Sequence, residues 1–160
     1  MPEGARKMNN SSSNDDIIQQ LAEMAEQMQV IVDKYDENPE LYTELSIVRY
    51  DTVKLVSMLF YFNPRQAIIE TELENLIQTR KRVKSSFIAK FVKEIPGRGN
   101  VSAAEHMSRG HLKEYDKKIA QYRTAAGYAK ALLFSVQRLV DQLNENIRSI
   151  GREMRLTRDA

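Results

Sequence analysis

Apolar side chains recur along the last third of the chain at alternating steps of three and four residues. The pattern contains no charged residue. Because steps of three and four both return a side chain to nearly the same side of an α-helix, this spacing predicts one helix over about residues 109–158. At a rise of about 1.5 Å per residue, that helix is roughly 70 Å long, too long for the body of one small domain. The thirteen positions are Leu112, Tyr115, Ile119, Tyr122, Ala126, Ala129, Leu133, Val136, Val140, Leu143, Ile147, Ile150 and Met154.

This apolar stripe is wider than a pair of helices needs. Leu132 and Leu139 flank it near its middle, and a wide stripe is typical of a helix with neighbours on more than one side. We therefore expect the helix to be the spine of a bundle and also to join copies of the chain. The residues expected to form the contact between copies are Leu133, Val136, Val140, Leu143, Ile147 and Ile150.

Three further helices are predicted upstream of the long one, because apolar residues recur there at the same steps. Asn38-Pro39 and Asn63-Pro64 predict breaks, since the residue before a proline is disfavoured in a helix and proline suits a helix start. Pro96-Gly97 ends the third helix. The predicted ranges are about 14–37, 40–62 and 64–95. The second helix carries a stripe that Val53, Val56 and Phe60 widen.

Composition agrees with an all-α fold. Six glycines and four prolines leave few residues for the turns of a sheet. The prediction is an oligomeric helical bundle or hairpin with one long, coiled-coil-like C-terminal helix. Residues 1–13 are polar and predict a disordered tail. Residues 14–160 are expected to form a single domain, because the chain is long enough for one domain and too short for two.

The sequence contains no cysteine and no long apolar run. Without cysteine there are no disulfides and no thiolate metal ligands, which favours the cytoplasm. A membrane span needs about eighteen consecutive apolar residues, and a secretory signal needs an apolar region near the start. The expectation is a protein that does not enter a membrane.

Charge is segregated along the chain although the net charge is only +2. Residues 15–44 contain nine carboxylates and one lysine, a net charge of −8. Residues 80–98 contain seven cations and one glutamate, a net charge of +6, and residues 148–158 contain four arginines and one glutamate, a net charge of +3. Segregation of this kind indicates a polyanionic partner, head-to-tail contact between copies, or both.

The basic residues of the third helix fall on two sides of it. At about 100° per residue, Arg82, Lys90 and Lys93 lie opposite the apolar residues, where they suit a phosphate backbone. Arg80 and Lys84 fall on the apolar side, where they must extend to solvent, pair with acids or line a groove between subunits. The alternative is a solvated basic face that balances the acidic first helix. The predicted DNA-binding residues are Arg80, Lys81, Arg82, Lys84, Lys90, Lys93 and Arg98.

A second basic stripe is predicted near the C-terminus. Arg148, Arg152 and Arg155 are spaced so that they share one side of the long helix. These arginines have two interpretations: they bind a polyanion, or they interact favourably with the negative end of the helix dipole, at about 0.3–1 kcal/mol each. The sequence alone leaves both open.

No pattern in the sequence indicates an enzyme. His106 and His111 lie beside Glu105, but a metal site needs three or four ligands with supporting hydrogen bonds. The segment Pro96–Asn100 lacks the lysine and the preceding strand of a phosphate-binding loop. The prediction is therefore a protein without catalytic residues, metal or cofactor.

The order of these segments resembles the UvsY-type recombination mediators of T-even-like bacteriophages. The resemblance covers roughly residues 40–158. It rests on a helix of mixed polarity (ELYTELSIVRYDTVKLVSMLFYF), a basic helix with a Gly-Arg-Gly tip (KRVKSSFIAKFVKEIPGRG), a polar linker and a long helix that ends in SIGREMRL. The acidic first helix and the Ser/Asn tail depart from the family, which is shorter at that end.

The resemblance implies a small all-α protein that assembles into rings and binds single-stranded DNA. Its partners would be single-strand-binding protein, which it displaces or remodels, and a RecA-like recombinase, which it helps to load. The DNA-binding motif of the family is a Lys-x-Arg pair shortly before the tip. This sequence has no such pair at that distance, and Lys90 and Lys93 are the nearest basic residues.

The alternative function is a structural or scaffolding coiled-coil protein that forms homo-oligomers. In that case the acidic first helix of one copy meets the basic third helix of the next, and the cations are neutralised within the assembly. Docking on an anionic membrane is less favoured, because no predicted helix combines exposed Trp or Phe with lysines beside them.

Overall fold

The computed structural model describes residues 9–94 and 100–157, with side chains from residue 16 onward except that of Asn100. Over these ranges the protein is all-α, as the periodicity predicts. The elements are α1 (Asn9–Glu37), a 3₁₀ turn (Pro39–Thr43), α2 (Leu45–Glu94) and α3 (Asn100–Leu156). The described ranges contain no strand.

Two helices begin earlier than the sequence predicts. Residues 9–13, assigned to a disordered tail, belong to α1, because extending an existing helix is much easier than starting one. Residues 1–8 of that predicted tail lie outside the described residues. Residues 101–108, predicted as a linker, belong to α3. Ala104 and Ser108 are buried there, so this segment is anchored by packing.

The predicted break at Asn63-Pro64 is wrong, because α2 continues through Pro64. Proline inside a helix removes one backbone hydrogen bond and costs about 3 kcal/mol. Phe62 and Ile69, on either side of it, are both fully buried, and they share one side of the helix. Arg65 also donates from Nη1 to the Tyr61 carbonyl at 2.9 Å. Burial on both sides of the proline therefore outweighs its local preference.

The break at Asn38-Pro39 is present. The backbone N–H of Asn38 donates to the Lys34 carbonyl at 3.2 Å, and its side-chain amide donates to the same carbonyl at 3.0 Å. These bonds complete the last turn of α1. Pro39 then starts the 3₁₀ turn, which leads into α2.

The described chain divides into two compact units, each containing part of α2 and part of α3. Unit 1 comprises residues up to Ala67 together with Gly127–Ala160, and unit 2 comprises Ile68–Ala126. That residues 14–160 behave as one domain stays a prediction.

The core of unit 1 combines residues from all three helices. Leu21, Met28 and Tyr35 of α1 are buried, as are residues of the first half of α2 and the last part of α3. Their spacing of seven residues is that of one helix face. The buried residues contributed by α2 and α3 are Val48, Leu55, Phe62, Ala129, Leu132, Val136, Leu139, Val140 and Leu143.

A buried polar cluster joins α1 to α2 within this core. Asp51 is 4% exposed, and its Oδ2 accepts hydrogen bonds from Lys34 Nζ at 2.7 Å and from the Tyr35 hydroxyl at 3.1 Å. The Tyr35 ring also contacts that of Tyr42, with centroids 5.0 Å apart. Burial and the Asp51 charge raise the pKa of Tyr35, and burial, followed by the Asp36 charge, raises the pKa of Tyr42. Both phenols are therefore neutral at physiological pH.

Candidate nucleic-acid interface

Unit 2 is a pair of antiparallel helical segments, joined by two ion pairs and one contact between aromatic rings. Arg80 of α2 pairs with Asp116 of α3, and Lys84 Nζ lies 3.0 Å from Glu105 Oε1. The rings of Phe87 and His111 lie 4.8 Å apart between centroids. From Arg80 to Phe87 along α2, the partner on α3 moves back from Asp116 to His111, as in an antiparallel pair.

A groove between these two segments is lined by three cations, one anion and three apolar residues. Its volume is about 320 Å³, and its only carboxylate is Asp116. Because three cations face one anion, the groove keeps an excess of positive charge. The lining residues are Ile77, Arg80, Lys81, Asp116, Ile119, Ala120 and Arg123. We call this the cationic groove.

The two cations predicted on the apolar side of the basic helix are both paired. Arg80 donates from Nε and Nη2 to the two carboxylate oxygens of Asp116, the second at 3.3 Å. The hydrogen bond with Asp116 raises the pKa of Arg80, so the guanidinium stays charged. Lys84 pairs with Glu105. Of the three possibilities for such residues, pairing with acids is therefore the one observed; the groove that Arg80 lines lies within one chain.

The other predicted cations of α2 are exposed. Lys81 lies beside Arg80 at the cationic groove. Arg82, Lys90 and Lys93 are exposed on the side of α2 that faces away from α3. The small residues Ser85, Ser86 and Ala89 lie between Arg82 and Lys90 and are exposed as well. Arg98 lies outside the described residues.

The sequence analysis missed the cations of α3. Arg109, Lys113 and Lys117 follow one another at steps of four and are all exposed. Arg123 is exposed and lines the cationic groove. The step of four is visible in the sequence and could have revealed the first three. The placement of Arg123 beside Arg80 depends on helix pairing, which no local pattern contains.

Unit 2 is basic as a whole. Residues 68–126 contain twelve lysines and arginines and seven carboxylates, a net charge of +5. Since the whole chain carries +2, the remaining residues carry −3. The segregation seen along the sequence is thus also a segregation between units.

The second predicted basic stripe lies in unit 1. Arg148, Arg152 and Arg155 are exposed, and the first two share a shallow surface with Asp141 and Glu145. Carboxylates one turn away on the same helix reduce the local positive potential. This surface therefore carries no excess of positive charge, in contrast to the cationic groove.

The residues predicted to join copies of the chain are largely used within it. Val136, Val140 and Leu143 are buried in unit 1, so their side chains are occupied by packing inside one chain. Leu133, Ile147 and Ile150 are half-buried. Oligomerisation through these six residues stays a prediction.

The described residues contain no group of three or more His, Asp or Glu side chains arranged to hold a metal ion. In the same part of the chain, no helix is both long enough and apolar enough to cross a membrane. Two carboxylates of unit 2, Asp116 and Glu105, pair with neighbouring cations.

Comparisons with protein-family models, with curated proteins and with solved structures give no match for this chain.

Proposed function

We propose that the protein is a non-enzymatic accessory protein that binds single-stranded DNA through unit 2. In this proposal it acts in the cytoplasm as a recombination mediator, which helps to load a RecA-like recombinase onto DNA covered by single-strand-binding protein. The binding residues are the exposed cations of α2 within unit 2, namely Lys81, Arg82, Lys90 and Lys93. Arg80 and Arg123 in the cationic groove complete the site. Lys84 and Arg98 belong to the same predicted set.

The observation that carries the proposal is the concentration of exposed cations on both helices of unit 2. Lys81 and Lys93 are twelve residues apart on α2, or roughly 18 Å along the helix. Arg109, Lys113 and Lys117 add a second row on α3. Rows of cations spaced by helical turns contact successive phosphates without reading bases. Such a surface supports binding that is independent of sequence.

The affinity for DNA tests this assignment. Fluorescence anisotropy with labelled oligo-dT should show binding. The logarithm of the association constant should fall by about 0.7 for each phosphate contact when the salt concentration rises tenfold. Replacing Lys81→Glu and Arg123→Glu together should weaken binding strongly, because both residues line the cationic groove. The matched control is Arg148→Glu with Arg152→Glu, which makes the same charge change in unit 1. Absence of binding at low salt, or an equal loss in the control, would contradict the proposal.

The mediator role rests on the family resemblance and needs its own test. The protein should shorten the lag with which a RecA-like recombinase starts ATP hydrolysis on single-stranded DNA covered by single-strand-binding protein. The Lys81→Glu/Arg123→Glu variant should lose this effect. If the wild type binds DNA but never shortens the lag, DNA binding stands and the mediator role fails.

A scaffolding function remains the second candidate, because two predicted cations are neutralised within the chain. Arg80 pairs with Asp116 and Lys84 pairs with Glu105. In a scaffold the remaining cations would be neutralised by acids of neighbouring copies. The same anisotropy experiment separates the two candidates, since a scaffold would leave oligo-dT unbound.

A further inference from the structure

The first half of α2 carries apolar residues on two opposite sides. Its inner side buries Val48, Leu55 and Phe62 in unit 1. Its other side exposes five large apolar residues by between 49% and 75%. A helix that is apolar on two sides is typically covered on both. The five residues of this outer apolar face are Tyr50, Val53, Val56, Phe60 and Tyr61.

The outer apolar face borders a groove shared with α1. The groove has a volume of about 440 Å³. Met24 and Met58 line it, and their flexible side chains adapt readily to an incoming surface. The remaining lining residues are Gln27, Tyr50, Val53, Lys54, Ser57 and Tyr61.

The charges around this face suit contact with an identical face. Between Leu45 and Phe62 the only carboxylate is Asp51, which is buried against Lys34 and Tyr35. Lys54 lies at one edge of the groove. The centre is uncharged, and the Ser57 hydroxyl there donates to the Val53 carbonyl at 2.8 Å. This hydroxyl can therefore leave water without losing its hydrogen bond.

The area of the face is near the lower limit for a specific dimer. Three aromatic residues and two valines, exposed to these extents, present roughly 550 Å² of side-chain surface, if an aromatic side chain contributes about 200 Å² when fully exposed. If all of this surface is covered, two such faces bury about 1,100 Å², above the roughly 1,000 Å² that a biological interface should exceed and below the roughly 1,200–2,000 Å² of a tight one.

We propose that the outer apolar face binds the same face of a second copy of this chain. The two α2 helices run antiparallel across a twofold axis at Ser57. Val53 of one copy is then level with Tyr61 of the other, because the two residues lie four positions before and after the axis. Lys54 is level with Phe60 rather than with Lys54 of the second copy. A small residue at the axis lets the helices approach to about 8 Å.

This interface is independent of DNA binding, because its residues lie in unit 1 and none belongs to the predicted DNA-binding set. It also differs from the contact predicted from the periodicity of α3, whose central residues are buried within one chain. The proposed interface instead uses residues that the single chain leaves exposed.

The mass of the full chain in solution tests the proposal. Light scattering and sedimentation between about 1 and about 100 μM, a range that covers the weak end of interface affinities, should show self-association. Phe60→Glu should lower the mass toward that of the monomer, by half at most, with an unchanged circular dichroism spectrum, since Phe60 is 75% exposed. Phe134→Glu, at a 73% exposed residue of α3, should leave the mass unchanged. A monomeric wild type, an unchanged mass for Phe60→Glu, or an equal effect of Phe134→Glu would overturn the proposal.

Cross-linking tests the position of the axis, and the chain contains no cysteine that would interfere. Ser57→Cys should form a disulfide-linked dimer under mild oxidation, because residues at a close antiparallel crossing meet the Cα separation of about 4.4–6.8 Å that a disulfide needs. The control is Val30→Cys at an exposed position of α1. Equal cross-linking of both variants, or none with Ser57→Cys, would overturn the arrangement.

Discussion

Arg80 of α2 and Asp116 of α3 form a two-point ion pair across unit 2, although they are 36 residues apart in the sequence. The guanidinium uses Nε and Nη2, and the carboxylate uses both oxygens, which is the geometry in which an arginine is held most firmly. The pair links the two segments. It also places one negative charge inside the cationic groove.

Removing that negative charge should strengthen DNA binding. In Asp116→Asn, Arg80 remains in the groove but no longer has a carboxylate competing with phosphate, so an additional phosphate contact becomes available. A plot of the logarithm of the association constant for oligo-dT against the logarithm of the salt concentration should become steeper by up to about 0.7. Stability should fall by at most about 1 kcal/mol, because the pair is partly exposed.

The control for this change is Glu114→Gln, which removes one exposed carboxylate of the same helix that does not line the groove. Its salt dependence should remain near that of the wild type. Weaker binding by Asp116→Asn would show that the carboxylate positions Arg80 for DNA instead of competing with it.

Charge reversal on the side of α2 that faces away from α3 should also weaken DNA binding. Lys90→Glu with Lys93→Glu replaces two exposed cations. If both contact phosphates, the slope of the logarithm of the association constant against the logarithm of the salt concentration should become shallower by about 1.4. The corresponding change on α3 is Lys113→Glu with Lys117→Glu. Unchanged anisotropy for the α2 variant would remove Lys90 and Lys93 from the site, and the α3 variant reports whether the strand crosses both helices.

Leu143 should contribute to the stability of one chain. It is fully buried, so Leu143→Ala leaves a cavity and should cost about 2–5 kcal/mol in the free energy of unfolding. Ile150→Ala, at a half-buried position of the same stripe, should cost clearly less. Chemical denaturation monitored by circular dichroism measures both. Equal small losses would argue against burial of Leu143 in the core of unit 1.

Pro64→Ala should stabilise the protein. Alanine restores the backbone donor that proline lacks and removes the clash of the ring with the preceding turn. Proline also restricts the unfolded chain, which offsets about 0.4–1 kcal/mol of the gain. Set against a cost of about 3 kcal/mol for proline inside a helix, we expect a net increase of about 2 kcal/mol in the free energy of unfolding. A decrease would mean that Pro64 is needed for the burial of Phe62 and Ile69.

Stability should fall at alkaline pH because of Tyr35. Burial and the Asp51 charge raise its pKa, so the folded state holds the phenol proton after the unfolded state has released it. The stabilisation is complete below the unfolded pKa of about 10 and is lost as pH rises above that value. Tyr35→Phe removes this loss, which amounts to at most about 1.4 kcal/mol per pH unit.

The comparison is the free energy of unfolding at pH 8 to about 11 for the wild type, Tyr35→Phe and Tyr128→Phe. Tyr128 is exposed, so its variant should follow the wild type. At neutral pH, Tyr35→Phe should be less stable by about 1 kcal/mol, because it loses the hydrogen bond to Asp51. If the free energy of unfolding changes with pH in the same way in all three proteins, the role of Tyr35 is contradicted.

Local sequence rules predict the helical class well and the helix breaks less well. The apolar spacing from Leu112 onward identifies α3, since that spacing reports directly on helix geometry. The break at Asn63-Pro64 fails because Phe62 and Ile69 are buried by residues distant in sequence, and this tertiary packing outweighs the local preference. Asn38-Pro39 lacks such flanking burial in the 3₁₀ turn that follows, and there the helix ends.

The candidate site is harder to predict because it depends on pairs of residues far apart. The sequence places Arg80 and Lys84 on the apolar side of a helix but does not identify Asp116 and Glu105 as their partners. In the same way, Val53 and Phe60 look like extra core residues of a second helix. Only the packing of α1 and α3 on the opposite side leaves them exposed.

The Asp51 carboxylate gives α1 a single alignment on α2. Apolar residues spaced by helical turns tolerate slippage, since moving one helix by about 5.4 Å places each residue near the next one of the stripe. The same slip would carry Lys34 and Tyr35 out of reach and leave a buried anion alone, at a cost of several kcal/mol. One acidic side chain thus selects a single register among several that apolar contacts alone would make nearly equal in energy.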